Sequence, residues 1–415
     1  MSDELNVTVS GDDGTDWQAL SWKVSQVFTP ATPISEEELF AGRAGPIEKA
    51  VDAINQRGQH ALVYGERGVG KTSLANILSS RLISYSGERA IAPRVNCDAT
   101  DDFSSLWRKV LAKVRITERT RAPGFAELSQ ETMRTAAHAL PAAADVTPDA
   151  VSELLVRIGQ GRVLLVIFDE FDRLTDQPVR RTMADTIKAL SDDAVPATIV
   201  IVGVADTVGE LIAEHESIDR SLIQIPMPRM EPAELGELLD KGTSKLGMKL
   251  DRMARDRIVR LSQGLPPYTH RLALHATRSA ISERRRTIGE GDVERAILQT
   301  VENAQQSLRD NYRRAVSSPQ TGNLFGQVLL ACARAKTDAF GYFAAADVRK
   351  PMSRIMKKRY EIPSFARHLN SFCQPERGRV LRKEGAKHRY RYRFSDPLMQ
   401  PFVIMKGIVE SGNGA

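Results

Sequence analysis

Cysteine is scarce in this 415-residue chain: Cys97, Cys332 and Cys373 stand far apart with no paired spacing. That argues against a disulfide framework and a cysteine-built metal site, and it fits a reducing, cytoplasmic setting. Long apolar runs are missing too. The longest, "VLLVIF" and "ATIVIVGVA", fall well short of the ~20 residues a membrane-spanning helix needs, so no membrane partner is expected. The opening "MSDELNVTVSGDDGTDW" is acidic and polar, unlike a secretory signal. No internal repeat is visible at the period of about 20–50 residues that marks solenoid arrays.

What is present suits a soluble globular protein of two or three domains: 42% hydrophobic and 27% charged residues. The net charge of +6 is unevenly spread. Residues 309–393 hold 20 Lys/Arg against 6 Asp/Glu, whereas residues 1–308 hold 37 against 44. A positive charge confined to one C-terminal module suggests a polyanion as that module's partner; a merely solvated basic surface is the plainer reading.

The strongest local signal is "HALVYGERGVGKTSLANILSSRL". A short apolar strand runs into Gly65-Glu66-Arg67-Gly68-Val69-Gly70-Lys71-Thr72-Ser73 and then a helical pattern. This is a P-loop in its strand–loop–helix context. Its glycines let backbone N–H groups curl around phosphate oxygens at a helix N-terminus. Lys71 is expected to reach the β- and γ-phosphates of ATP, and the Thr72 hydroxyl to ligate Mg²⁺. A second apolar strand, "RVLLVIFDEFDRL", ends in Asp169 and Glu170. Acids at the C-terminal edge of a parallel sheet sit where such sheets place ligands. Asp169 is expected at the metal and Glu170 at the attacking water. Asp172 is assigned no catalytic role; pairing with Arg173 or capping the next segment accounts for it.

Further strands at "RVNC" and "ATIVIVGVADT" give strands alternating with helices, and hence a parallel sheet covered on both sides. From "EPAELGELL" to about residue 303 the pattern is helical, without strand signals. An αβα P-loop core followed by a helical lid resembles an AAA+ ATPase, and "ELFAGRAGPIEKAVDAI" resembles the segment along the adenine in the origin-recognition/initiator clade. The resemblance covers about residues 39–305. It implies a sensor-1 position at Asp206, where such enzymes usually carry a small polar residue, and an arginine finger at Arg220 that serves a neighbouring subunit; a plain surface arginine is the alternative for Arg220. Pro267 stands where initiator-type lids place a sensor-2 arginine. Gly264-Leu265-Pro266 resembles instead the turn of STAND-type signalling ATPases. Arg271, four residues beyond Pro267 and on the same helical face, either replaces the missing arginine or is exposed.

The basic module reads as three amphipathic helices ("NLFGQVLLACARA", "PMSRIMKKRY" with Pro351 in its first turn, "IPSFARHLNSFC") followed by a hairpin, "RGRVLRKEGAKHRYRYRF". This order resembles a winged helix. In "KHRYRYRF" Tyr390, Tyr392 and Phe394 should pack inward, leaving Arg389, Arg391 and Arg393 in solvent. With Arg367, His368, Arg379, Arg382 and Lys383 they form the candidate DNA face.

The expected fold is thus α/β: a parallel-sheet P-loop ATPase core (39–229), an all-helical lid (230–305) and a basic winged-helix domain (306–410), behind a disordered acidic tail and linker (1–38). The expected function is Mg²⁺-dependent ATP hydrolysis coupled to self-association and DNA engagement, as in initiator-like or transposon-target-selecting ATPases. The alternative is a STAND-like signalling or antiphage-defence switch whose basic module meets an effector protein.

Overall fold

The computed structural model describes residues 16–33, 42–121, 129–140, 145–205, 218, 220–320, 322–386 and 389–412. In chain order the first part comprises α1 (Trp17–Val27), α2 (Ala44–Asn55), β1 (His60–Gly65), α3 (Lys71–Ser86), β2 (Ala90–Ile91), β3 (Arg94–Asn96), α4 (Phe103–Ala112), the hairpin strands β4 (Arg115–Arg121) and β5 (Ser129–Thr135), α5 (Pro148–Ile158), β6 (Val163–Asp169), α6 (Gln177–Asp192), β7 (Ala197–Val204) and β8 (Leu222–Pro226). β2 and β3 both pair with β6, and the sheet continues β6-β7-β1-β8, every pairing parallel.

A parallel sheet is buried on both faces, which is why these strands are apolar throughout rather than alternating. Leu62, Val166, Phe168, Ile199 and Ile201 face Trp107 of α4 and residues of α5 and α6. Ala61, Val63, Leu165, Ile167, Val200 and Val202 face α2 and α3. The C-terminal ends of β1 and β6 therefore open on the same edge.

The next part holds α7 (Pro232–Lys245), β9 (Lys249–Leu250), α8 (Arg252–Ser262), α9 (Pro266–Ser282), β10 (Thr287–Ile288) and α10 (Glu290–Glu302). The expectation of a purely helical lid misses one detail: β9 and β10 pair in parallel, tying two interhelical turns together. The last part holds α11 (Gln306–Val316), α12 (Phe325–Ala333), β11 (Phe343–Ala344), α13 (Ala345–Ile355), α14 (Pro363–Phe372), β12 (Leu381–Glu384), β13 (Arg391–Phe394) and α15 (Met399–Gly412). Its three strands are antiparallel in the order β11-β13-β12. Pro351 lies inside α13, not in its first turn. The helix starts earlier because Asp347 accepts the Ala344 N–H at 2.8 Å and caps it there.

One boundary differs from expectation. Residues 17–27, assigned to the tail, form α1, capped by Asp16. Val24, Val27 and Phe28 are buried against α7 and α9, and the Thr29 N–H donates to His270 Nδ1 at 3.3 Å. The apolar face of α1 outweighs the acidic composition around it. Beyond residue 305 the apolar packing does not break: one continuous cluster runs from α1 through the lid into α12, α14 and α15. Among the described residues, no helix is long and apolar enough to cross a membrane.

Candidate nucleotide site

The P-loop leaves β1 at Gly65, whose φ is 151° and where an added Cβ would come within 2.3 Å of the Met227 carbonyl oxygen. Only glycine permits that approach between β1 and the end of β8. Gly70, at φ 100°, precedes α3, whose first residue is Lys71. Lys71 is 8% exposed, and its Nζ donates to the carbonyls of Gly65 (3.0 Å) and Glu66 (2.7 Å). Burial pulls the Lys71 ammonium down to about 8, against the nearby carboxylates of Asp172, Asp169 and Glu66. Thr72 is half-buried, Val69 and Ser73 are buried, and Arg67 is exposed.

β6 delivers the two acids to the same edge. Asp169 is 2% exposed, and its Oδ1 accepts the Glu170 N–H at 2.9 Å. Its Oδ2 is buried and makes no hydrogen bond, but lies 3.0 Å from Arg94 Nη2 in an ion pair. Glu170 has a left-handed backbone (φ 56°), and its exposed carboxylate pairs with Arg173 at 3.0 Å. A non-glycine residue held there at a strand end is a form of strain that clusters at functional sites. Asp172 Oδ1 accepts the Val204 N–H at 2.7 Å and so caps β7.

The rest of the chain closes over this edge. A methyl group on Gly68 would touch Leu398 and Pro267, each at 3.6 Å. The Tyr268 hydroxyl donates to the Leu398 carbonyl at 2.8 Å. Glu66, 2% exposed, forms an ion pair of 2.9 Å with Arg229, 7% exposed, just past β8. Arg229 Nη1 donates to Gln400 Oε1 (2.6 Å), and the Arg229 backbone N–H to the Ala339 carbonyl (2.9 Å). Gln400, fully buried, donates to the Ala333 carbonyl at 3.0 Å. On the other side, the buried Arg43 donates to the carbonyls of Val69 (3.1 Å) and Pro228 (2.7 Å), bracing the loop against the β8 exit.

Of the expected site residues, the structure gathers Gly65 to Ser73, Asp169 and Glu170; Pro266 opens α9, and its neighbour Pro267 is the residue that faces Gly68. Arg271 lies one turn on, 5.8 Å from the Tyr268 ring centroid. Asp206 lies outside the described residues. Arg220 is exposed and precedes β8 at the N-terminal edge of the sheet, where His60 pairs with Leu222, so it is remote from its own P-loop. Arg229, Gln400, Arg43 and Arg94 went unrecognised in the sequence. The one available hint was Arg229's place at the C-terminal end of a strand.

The candidate DNA residues divide. Arg367, Arg379, Arg382 and Arg389 are exposed. Lys383 donates to Asn370 Oδ1 at 3.0 Å and stands 3.6 Å from the Tyr390 ring centroid. His368 is half-buried with its ring edge-on to Phe325 at 4.8 Å, a packing position. Arg391 pairs with Asp338 at 3.2 Å. Arg393 corrects the expectation of a solvent-facing strip: it is 7% exposed, 4.9 Å from the Tyr342 ring centroid. β13 is the middle strand of its sheet, and Tyr342, just ahead of β11, covers the face that period-2 alternation assigned to solvent. Tyr392 (5% exposed) and Phe394 (1%) are buried as expected.

A P-loop opening α3 beside a strand that ends in Asp-Glu, on a β6-β7-β1-β8 parallel sheet with a helical lid, defines a P-loop NTPase of the AAA+/STAND kind. The model for the family Novel STAND NTPase 1 matches residues 32–319, most of the chain, and the protein belongs to that family. No curated protein matches. Among solved structures the chain is similar to the ORC2 protein of Aeropyrum pernix in its ADPNP–ADP complexes, at 15% identity over 94% of this chain and 98% of that one, with a TM-score of 0.52. It is also similar to a Walker-type ATPase of Pyrococcus abyssi, at 16% identity over 91% and 99%, with a TM-score of 0.50. At these identities the likeness speaks to the fold.

Proposed function

We propose that this NTPase is a Mg²⁺-dependent ATPase switch in which nucleotide at the P-loop controls whether the C-terminal module stays docked, and that the module is a DNA-binding winged helix. The observation that carries the switch is the buried chain from Glu66 in the P-loop through Arg229 to Gln400 on α15. A phosphate entering the loop brings negative charge next to Glu66, and a buried ion pair is sensitive to such charge because water does not screen it. Loosening that pair loosens the hold on α15.

For the chemistry, backbone N–H groups from Gly65 to Thr72 and the Lys71 ammonium would hold the phosphates. The half-buried Thr72 hydroxyl and Asp169, whose Oδ2 is buried without a hydrogen bond, suit a hard divalent cation. Mg²⁺ bound there would neutralise charge on the phosphate oxygens. Glu170 would orient the attacking water once its carboxylate leaves Arg173. Asp206 would serve as sensor 1 and Arg271 as a lid contact. Arg220, remote from its own P-loop, would act on the nucleotide of a neighbouring copy, which requires self-association.

The winged-helix reading is supported by the order α12-β11-α13-α14-β12-β13, which is helix, strand, two helices and a hairpin. Arg367, Arg379, Arg382, Lys383 and Arg389 would meet phosphates. A specific observation favours a second reading, in which the module docks on a protein: Arg391 and Arg393 are already engaged by Asp338 and Tyr342. The deciding experiment measures binding of labelled duplex DNA and ATP turnover together. DNA binding that differs between ATP and ADP, with DNA-stimulated turnover, supports the first reading. Nucleotide-dependent opening without DNA binding supports the second. Lys71→Ala should abolish nucleotide binding, and Glu170→Gln should retain binding but stall hydrolysis.

A further inference from the structure

Arg94 stands in an unusual place. It opens β3, and its register partner on β6 is Ile167, two residues before Asp169. From there its guanidinium reaches along the sheet edge to Asp169 Oδ2 at 3.0 Å, while Nη1 donates to Asn76 Oδ1 on α3, one turn after Thr72. The Asp169 side chain is 3% exposed and the Arg94 side chain 25%. The guanidinium therefore bridges the P-loop helix and the metal-suited carboxylate, yet has an open route to solvent.

We propose that Arg94 is a resident counter-cation for Asp169, which a divalent metal must displace to bind. Resting on the nucleotide-site reading above, the argument is electrostatic. A second cation arriving at the carboxylate oxygen that Arg94 already holds is opposed by cation–cation repulsion, which a buried site screens weakly. Conversely, an Asp169 carboxylate with no cation beside it repels the phosphates of a nucleotide. Arg94 removes that repulsion before metal arrives. Nucleotide binding is thereby made nearly metal-independent, and the metal requirement falls on hydrolysis alone. Arg94 acts through Asp169 and is a positioning residue, not a catalytic one.

The test separates this role from a structural one by the sign of two effects. Affinity for a fluorescent N-methylanthraniloyl-ADP is measured in EDTA, and Mn²⁺ affinity of the ADP-saturated protein by electron paramagnetic resonance. Arg94→Gln should weaken ADP binding in EDTA and tighten Mn²⁺, each by about tenfold, as for gain or loss of one nearby charge. Arg94→Lys should stay near the wild type on both. Asn76→Ala removes the guanidinium's second anchor and should shift both in the Arg94→Gln directions by a smaller factor, which keeps the test open if Arg94→Gln folds poorly. Unchanged Mn²⁺ affinity, or both affinities weakened together in Arg94→Gln and Asn76→Ala, would overturn the proposal while leaving the nucleotide site intact. Failure of the wild type to bind ADP at all would overturn the nucleotide-site reading, and this inference with it.

Discussion

Glu66 and Arg229 are 163 residues apart in sequence, yet their side chains meet at 2.9 Å in the interior, 2% and 7% exposed. An ion pair so placed is costly to assemble and costlier to break, because removing one partner strands the other charge away from water. Gly341 closes the space above it: an added Cβ there would fall 2.2 Å from Glu66 Oε1 and 2.5 Å from Arg229 Nη2.

Arg229→Ala should accordingly destabilise the protein by about 3–5 kcal/mol, as for a broken buried pair. The double variant Glu66→Gln/Arg229→Met, which leaves no stranded charge, should recover most of the loss. Urea unfolding of the single and double variants measures this. A double variant no more stable than Arg229→Ala would mean that the pair is not the coupling element.

Lys71 gives a pH dependence. Its ammonium sits near 8 in the folded protein because of burial, against an ordinary value of 10.5. Phosphates bind the protonated form, so nucleotide affinity should be flat below pH 8 and fall above it, by up to about tenfold per pH unit. Between pH 8 and 10.5 the unfolded chain holds more protons at this site than the folded one, so this group alone makes stability rise with pH there. Fluorescent ADP titrations from about pH 7 to about 9.5 would read the affinity; no fall above pH 8 would refute it.

Two buried histidines set an acid limit. His60 Nδ1 accepts the Ile199 N–H at 2.9 Å and His270 Nδ1 accepts the Thr29 N–H, so both are held neutral. Burial takes each down to about 4. The unfolded chain binds protons at these sites from pH 6.5 downward while the folded one does not, so stability should drop between pH 6.5 and 4. The slope is up to about 1.4 kcal/mol per pH unit for each histidine. His60→Gln and His270→Gln should each flatten the curve of urea midpoint against pH.

What the sequence made legible was local. The P-loop and the Asp169-Glu170 pair declare themselves by spacing within a dozen residues, and the aromatic alternation of β13 correctly put Tyr392 and Phe394 inside. What it hid was long-range. Arg229 meets Gln400 across 171 residues, and no local pattern announces such a partner. Arg393 was misjudged for a related reason: period-2 alternation says which face a side chain takes, but not whether another element covers that face. In α1, Trp17, Leu20, Val24 and Val27 carried a readable helical stripe, but the acidic residues before it dominated the reading.

The correction at Arg393 sharpens the test of the DNA face. Arg367, Arg382 and Arg389 are exposed, on or beside α14, β12 and β13. Replacing all three with alanine should cost little stability, since exposed substitutions usually change it by less than about 0.5 kcal/mol each. Every arginine–phosphate pairing removed should flatten the plot of log affinity against log salt by about 0.9, so the triple variant should show a slope shallower by up to about 3. Arg393→Ala should behave differently. Its side chain packs on Tyr342, so it should lower the module's stability and leave the salt slope close to the wild type. Tyr392→Ala, which empties a buried ring site against Phe343, should destabilise by about 3–5 kcal/mol. Salt titrations of labelled duplex DNA, run beside urea unfolding, separate the two groups. Equal affinity and slope for the wild type and the exposed triple variant would end the DNA reading and turn the search for a partner toward proteins.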